Sequence, residues 1–279
     1  MHPLAEKYLR KELLPFLFCP GCGDGVILHC FLAAVDELGV GEDLALVSGI
    51  GCSSWIPFYI KADCLKILHG RTIPVAMGLK LTRPGRATVV FSGDGDCLGI
   101  GGNHFIHAAR RNLDITVIMI NNQIYAMTGG QVAPSSPFHA TTQTTPYGNP
   151  EMPLDGVKLA MAAGATFVSR WSTAHPRQLT RALKNAMSHR GFAYVEVISQ
   201  CPVQTGRYMM GSSQPTRVYD WMKDNCVPAS KYDTLPHEEK IGKFKLGDLL
   251  QEDRPEFGEV IRQLNQKARE QAARDQQGT

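Results

Sequence analysis

Two sets of residues in this chain have the types and spacing to do chemistry. The first is the stretch VVFSGDGD (89–96), where an apolar run ends in Asp94 and Asp96, each next to Gly95, with Gly93 just before. Further on, a second apolar run, ITVIMI, ends in the pair Asn121–Asn122. Glycine and aspartate are ordinary turn residues, so GDG by itself reads as a surface turn. Placed at the ends of neighbouring buried strands, the two segments offer hard oxygen donors: the Asp94 carboxylate, the Asn122 amide oxygen and a main-chain carbonyl just beyond. Mg²⁺ prefers such donors and commonly shares them with phosphate oxygens. Glycines around them let backbone N–H groups approach a diphosphate closely.

The second set is sulfur. The chain has eight cysteines: Cys19, Cys22, Cys30, Cys52, Cys64, Cys97, Cys201 and Cys226. In a reducing compartment they serve metal binding, catalysis or plain burial rather than disulfides. CPGC gives Cys19 and Cys22 the spacing of a metal knuckle, a spacing that buried or zinc-ligating thiols share. Cys52, in GIGCSSW, and Cys201, in ISQCPV, each follow a predicted strand, so the four thiolates are expected on the edge that carries Asp94. Four thiolates suit zinc or an iron–sulfur cluster, and spacing alone does not choose. Cys30 and Cys64 read as core, Cys97 as packing against the GDG loop, and Cys226 has no assignment. His104 and His107 lie three apart on a helix with no third ligand in view, which suits a helix surface or core.

The elements that must position these groups follow from periodicity. Residues 24–38 repeat apolar positions at helical spacing, as do 72–82, with Pro74 in the first turn where proline is tolerated, and 101–112. Between them 45–51, 87–93 and 115–122 are short, almost wholly apolar strands. This alternation predicts an α/β fold with a mostly parallel sheet and helices on both faces. Ligands in such sheets collect at the carboxyl ends of the strands. Residues 123–154 read as one long loop, which in a compact domain is usually functional. The alternation resumes with helix 157–164, strand 165–171, helix 176–189 and strand 192–200. Residues 206–248 look irregular with short helical pieces, and 256–279 form an amphipathic helix running into a polar tail. The expected organisation is a cofactor-binding unit over 1–205 and an extension over 206–279 that packs on the core or on a partner. A net charge of +3 gives no reason to expect nucleic acid. No apolar run reaches the roughly 18 residues of a membrane span. The N-terminal stretch mixes charges into its apolar residues, unlike a signal peptide, and a cytoplasmic protein is expected.

GDG followed by the asparagine pair resembles the cofactor motif of the thiamine-diphosphate enzymes. Six motifs in order, CPGCG (19–23), GIGC (49–52), LHGR (68–71), GDGD (93–96), NNQIYAMTGGQ (121–131) and CP (201–202), resemble the β subunit of 2-oxoacid:ferredoxin oxidoreductases. The resemblance runs over roughly residues 15–205. It implies a thiamine-diphosphate-binding fold with Asp94, Asn122 and the Ile124 carbonyl on Mg²⁺, and Gly93 and Gly95 allowing close approach of the diphosphate. Cys52, Ser53, His69, Asp96 and Thr128 complete the cofactor-binding set it implies. By the same resemblance Cys19, Cys22, Cys52 and Cys201 hold one 4Fe-4S cluster. A lone histidine such as His69 is ordinarily structural; in this family it faces the cofactor, where a neutral imidazole steers protons or orients substrate, and it is the expected catalytic residue. The implied reaction is oxidative decarboxylation of a 2-oxo acid, or the reverse carboxylation, with coenzyme A taking the acyl group and ferredoxin the electrons. No glutamate sits in a plausible motif between residues 40 and 130 to meet the aminopyrimidine ring. The family takes that group, with much of the coenzyme A and substrate contact, from an α subunit, and a dimer of αβ pairs is expected. QIYAMTGGQVAP is most like members acting on 2-oxoglutarate. Some relatives carry a basic residue just after the third cluster cysteine; here Ser53, Ser54 and Trp55 follow, leaving Arg71 or the partner to meet a second carboxylate. Pyruvate or a broad range of 2-oxo acids stays open. So do a non-redox thiamine decarboxylase or synthase with zinc on the cysteines, and a zinc-stapled scaffold whose GDG is only a turn.

Overall fold

In the structure, a computed structural model describing residues 1–277, the apolar runs form strands β1 (Leu44–Ser48), β2 (Asp63–Lys66), β3 (Ala87–Gly93), β4 (Thr116–Asn121), β5 (Ile124–Tyr125), β6 (Gln131–Val132), β7 (Phe167–Ser172), β8 (Ala193–Ile198), β9 (Cys226–Pro228) and β10 (Phe244–Gln251). Eight of them make one sheet in the order β2-β1-β3-β4-β8-β7-β10-β9, while β5 and β6 pair as a small antiparallel ribbon. Every pairing in the large sheet is parallel except β10 with β7, which is antiparallel and interrupted by a bulge between Asp248 and Leu250.

The central strands are buried along their length, so their residues alternate between two apolar layers instead of between core and water. Leu46, Val89, Phe91, Ile118, Ile120, Val195 and Val197 point to one layer, covered by α1 (Asp24–Leu38) and, later in the chain, the helix Pro176–Ser188. Phe31 of α1 meets Phe91 edge-on, with ring centroids 5.0 Å apart. Val47, Val90, Val117, Met119 and Tyr194 point to the other layer, under α2 (Thr72–Thr82), α3 (Gly102–Arg111) and α4 (Gly156–Ala162). The covering helices are therefore on both faces, as the alternation predicts.

The breaks between elements have local causes. α1 stops at Gly39, whose φ of +68° is left-handed and lets its N–H bond back to Val35 and Asp36. α4 starts at Asp155, whose carboxylate accepts from the N–H groups of Val157 and Lys158. Strand β1 ends at Ser48, earlier than the apolar run suggests, and Gly49–Gly51 leave the sheet. Five strands lie where periodicity offers none, among them the short β5 and β6 inside the stretch read as one long loop and the short β9 inside the stretch read as irregular. β2 is a largely exposed edge strand with no apolar run, and β10 crosses the stretch read as irregular, where Lys245, Gly247 and Asp248 break its pattern. Through β9 and β10, residues beyond 205 widen the sheet, and the helix Phe257–Gln277 follows. No helix among the described residues is long and apolar enough to cross a membrane.

Phe31 is fully buried in the layer that backs β3. Its replacement, Phe31→Ala, is expected to cost about 3–5 kcal/mol of stability. Denaturant unfolding measures this; a loss below about 1 kcal/mol would show that the contact with Phe91 does not hold α1 to the sheet.

Candidate active site at the carboxyl ends of the strands

Because β1, β3, β4 and β8 run parallel, the segments that follow them emerge on one edge. Gly51–Ser53, Asp94–Asp96, Asn122–Thr128 and the region before Cys201 gather there. One crevice on this edge is lined by Asp24, Ile50–Ser53, His69, Gly93–Asp96, Ile120, Asn122 and Ile124–Thr128. All ten residues named above as cofactor-binding are on its walls.

Asp94 is the electrostatic centre of the crevice. It is 3% exposed. Its Oδ1 accepts from the Gly95 N–H at 2.9 Å and its Oδ2 from the Ser135 hydroxyl. Burial pushes its carboxyl up to about 6 despite these two donors. A carboxylate held this way is poorly compensated and gains most from a cation. Asn122 Oδ1 accepts from Ile124 N at 3.2 Å, and its own carbonyl accepts from the Thr205 hydroxyl at 2.6 Å. Both strand-end donors thus have their backbones pinned. Gly95 has no room for a side chain, since a Cβ would strike the Tyr125 ring, whose hydroxyl donates to the Gly95 carbonyl at 3.2 Å. Thr128 sits on the rim, its hydroxyl donating to Gln131 at 2.6 Å, and Gly129 and Gly130 carry that loop through φ of +114° and +103°.

Asp96 does a different job from Asp94. Its Oδ1 accepts from His69 Nδ1 at 2.5 Å and from Gly70 N at 2.7 Å, and its Oδ2 accepts from the Ser92 hydroxyl. Three donors saturate it. An acceptor-only carboxylate fixes the proton of His69 on Nδ1 and leaves Nε2 as the nitrogen free to take one.

Asn121, the first of the pair, does not line this crevice. Its Oδ1 accepts from Gln123 N at 3.0 Å and its Nδ2 donates to Glu196 Oε1 at 2.7 Å. Glu196 is 1% exposed and bonds Arg170 Nε at 2.8 Å, and Arg170 also pairs with Asp155. Gln123 adopts a φ of +64°, unfavourable for a residue with a Cβ, and Ser136 holds its carbonyl at 2.6 Å. Ser135, Glu196 and Arg170 carry no local motif, and the hint for Ser135 was the length of its loop; Tyr125 lies inside the NNQIYAMTGGQ motif without having been singled out.

The thiols assemble around Asp24. The CPGC turn is closed by Cys22 N–H on the Cys19 carbonyl at 3.0 Å and tied to the segment before Cys201 by Gly23 N–H on the Gln200 carbonyl at 3.1 Å. Burial, then Asp24, Cys201 and Cys19, push the Cys52 thiol up to about 12. Cys22 is pushed far up by burial, then by Asp24, Cys201 and Cys52, and Cys201 by burial with Asp24 and Cys19 contributing. Cys52 and Cys201 thus lie in the field of Cys19, and Cys22 in that of Cys52 and Cys201. Among the described residues no three His, Cys, Asp or Glu side chains close on a point that would grip one metal ion. Asp24 is 2% exposed, its Oδ2 has no partner, and burial pushes its carboxyl up to about 6. Cys30, Cys97 and Cys226 are buried in the body of the fold, and Cys64 is half-buried on β2. His104 accepts from Arg71 at 2.8 Å on the α3 surface.

Two outcomes follow. Asp94 has a folded-state pKa near 6 against an ordinary 3.8, so its contribution to stability is present below pH 4 and lost as pH rises through 6. Asp94→Asn is expected to make the cofactor-free chain more stable at pH 8, by up to roughly 3 kcal/mol, and unchanged at pH 4. Thermal unfolding at the two pH values checks this, and a variant less stable than wild type at pH 8 would overturn it. Glu196→Gln leaves Arg170 half-paired in the interior, costing about 3 kcal/mol. Its loss of affinity for Mg²⁺–thiamine diphosphate in calorimetry is expected to exceed that of Phe31→Ala at similar stability; equal losses would reduce Glu196 to a structural residue.

Comparison with known proteins agrees with this geometry. The model of the thiamine pyrophosphate enzyme C-terminal TPP-binding domain matches residues 49–197. The 2-oxoglutarate synthase subunit KorB of Methanocaldococcus jannaschii is 49% identical over 96% of this chain and 98% of its own length. That of Archaeoglobus fulgidus is 42% identical over 94% of each. Among solved structures, a 2-oxoglutarate:ferredoxin oxidoreductase from Magnetococcus marinus with 2-oxoglutarate, coenzyme A and succinyl-CoA bound superposes with a TM-score of 0.84. It is 33% identical and covers 95% of this chain and 90% of that one. A crevice floored by Asp94 and Asn122, a family match over the residues that build it and near-complete coverage at this identity place the chain in the thiamine-pyrophosphate enzymes and, within them, in the β-subunit family of 2-oxoglutarate:ferredoxin oxidoreductases.

Proposed function

We propose that this chain is the half of a 2-oxoglutarate:ferredoxin oxidoreductase that holds thiamine diphosphate, Mg²⁺ and one 4Fe-4S cluster. The observation that carries the reading is a single crevice joining the poorly compensated Asp94 carboxylate, the Asn122 amide and the Ile124 backbone to Cys52, which lies in the field of Cys19 and Cys201. The donor set fits each group. Asp94, Asn122 and the Ile124 carbonyl are hard oxygens suited to Mg²⁺. Zinc draws four sulfurs onto one ion, whereas a cubane spreads its thiolates around a wider core. A thiamine-diphosphate site beside the thiols, whose chemistry needs an electron acceptor, favours the second arrangement.

Bound, thiamine diphosphate supplies the electron sink for decarboxylating a 2-oxo acid, and the cluster accepts electrons for ferredoxin. The chain's own part is placement. Asp94 and Asn122 hold the metal that anchors the diphosphate, and Gly93 and Gly95 let the backbone come close. His69, fixed by Asp96 with Nε2 free, takes or returns a proton at the reacting end. Ile50, Leu68, Ile100 and Met127 are exposed, Leu68 by 76%, and all but Leu68 and Ile100 line the crevice itself. An apolar rim of this kind suits a subunit contact. The α subunit covers it and contributes the glutamate for the aminopyrimidine, and αβ pairs assemble as dimers. Ser53, Ser54 and Trp55 leave no cation just after Cys52, so the distal carboxylate of 2-oxoglutarate meets Arg71 or the partner. Residues 1–205 form the cofactor unit and 206–279 the extension that widens its sheet. The enzyme works in the cytoplasm, where its thiols stay reduced and available to the cluster.

Anaerobic co-expression with the partner subunit tests this. The complex is expected to be brown, to contain iron and sulfide, and to reduce ferredoxin with coenzyme A and 2-oxoglutarate faster than with pyruvate. Cys19→Ser is expected to remove the colour and ferredoxin reduction while leaving thiamine-diphosphate binding. A colourless protein with stoichiometric zinc would overturn the redox reading, and no turnover with any 2-oxo acid would overturn the assignment.

A further inference from the structure

The loop that carries the metal-site donors has a second face. Along residues 121–124 alternate positions point opposite ways: Asn122 and Ile124 line the cofactor crevice, whereas Asn121 and Gln123 line a separate cavity of about 830 Å³. Ser135, which donates to Asp94, lines that cavity as well. Its floor is the ion network of Arg170, Glu196 and Asp155, and its far wall comes from the extension beyond residue 205.

The chemistry of the walls is that of a site for a planar anion. Trp221, Tyr232 and Phe244 present aromatic rings to the cavity. Of the five cations on its walls, Arg170 is engaged by Asp155 and Glu196, Lys245 pairs with Asp233 at 2.7 Å and Lys158 stands 3.9 Å from Asp155, which leaves Lys240 and Lys243 without an ion pair among the described residues. Lys240 stands 5.6 Å from the Tyr232 ring centroid, its amine bonded only to the Asp233 carbonyl at 3.4 Å. Volume, apolar walls and a few convergent polar groups match a small-molecule pocket, and none of these lysines or rings belongs to the crevice.

We propose that this cavity binds a nucleoside phosphate, its base against the rings and its phosphates at Lys240 and Lys243, and that occupancy is transmitted to the metal-site loop through Asn121, Glu196 and Arg170. The second half rests on the cofactor reading above; the binding does not. The ligand meant is a free adenine nucleotide, distinct from the coenzyme A of the reaction proposed above. A ligand that engages the floor alters the hydrogen bonds that hold Asn121, and linkage makes the effect reciprocal: thiamine diphosphate changes nucleotide affinity by the same factor.

The test is calorimetry on the complex purified with its partner subunit, titrated separately with AMP, ADP, coenzyme A and inorganic phosphate. AMP or ADP binding more tightly than phosphate and undisplaced by coenzyme A supports the proposal, whereas coenzyme A binding where AMP and ADP do not overturns it. Lys240→Glu/Lys243→Glu is expected to weaken nucleotide binding at least tenfold while thiamine-diphosphate affinity without nucleotide stays at the wild-type value. Saturating nucleotide is expected to shift thiamine-diphosphate affinity severalfold in wild type and not in the double variant. The proposal is overturned if no titrant binds, if binding survives the double variant, or if hydrogen exchange shows residues 240–245 protected by the partner subunit. A complex that binds nucleotide here but no thiamine diphosphate would instead overturn the functional reading and leave the site standing.

Discussion

Most of this architecture serves one demand, a carboxylate kept away from water at the end of β3. Asp94 has two hydrogen-bond donors and a charge that its surroundings only partly compensate. Such a group is costly in the empty protein and valuable once a cation arrives, because a charge interacts more strongly in a poorly polarisable interior. Around it, the parallel strands bring a second oxygen donor from β4, the two-layer core keeps both strands rigid, and glycine keeps side chains out of the space a diphosphate needs. The neighbouring Asp96, separated by a single glycine, is the counter-case. Three donors make it an internal anchor, and its influence on the site passes through the tautomer of His69.

Alternation along the backbone lets one loop serve two surroundings. The asparagine pair looks like a repeated ligand, yet its members face opposite sides: Asn122 meets the crevice and Asn121 the buried ion network. Buried ion pairs rarely add net stability, but breaking one is expensive, so they hold geometry stiffly. Here that stiffness is applied directly behind the metal-site donors and to Asp155, which starts α4. The strained Gln123 between them persists because Asn121 and Ser136 bond both ends of its peptide environment.

The thiols and the thiamine crevice share one edge for a topological reason. The CPGC turn precedes α1, Cys52 follows β1 and Cys201 follows β8, and only the sheet order brings them to one place. Asp24 sits between these thiols and the crevice, with an oxygen that no protein group satisfies. Exposed apolar side chains, Ile50 and Met127 among them, stand on the walls of the crevice.

What the sequence determined by itself was whatever depends on short-range pattern. Continuous apolar runs announced buried parallel strands, helical periodicity announced their covers, and GDG and NN marked strand ends and CPGC a turn, where backbone freedom and donor type are local properties. Tertiary structure decided what depends on partners distant along the chain. β2 and β10 take their strand identity from neighbours and not from an apolar run, so nothing in their own residues announces them. Ser135 finds Asp94 across 41 residues, and Glu196 finds Asn121 across 75. Which aspartate of GDGD stays available and which is saturated, and which asparagine faces the crevice, follow from backbone direction and burial, and these exist only once the sheet has assembled.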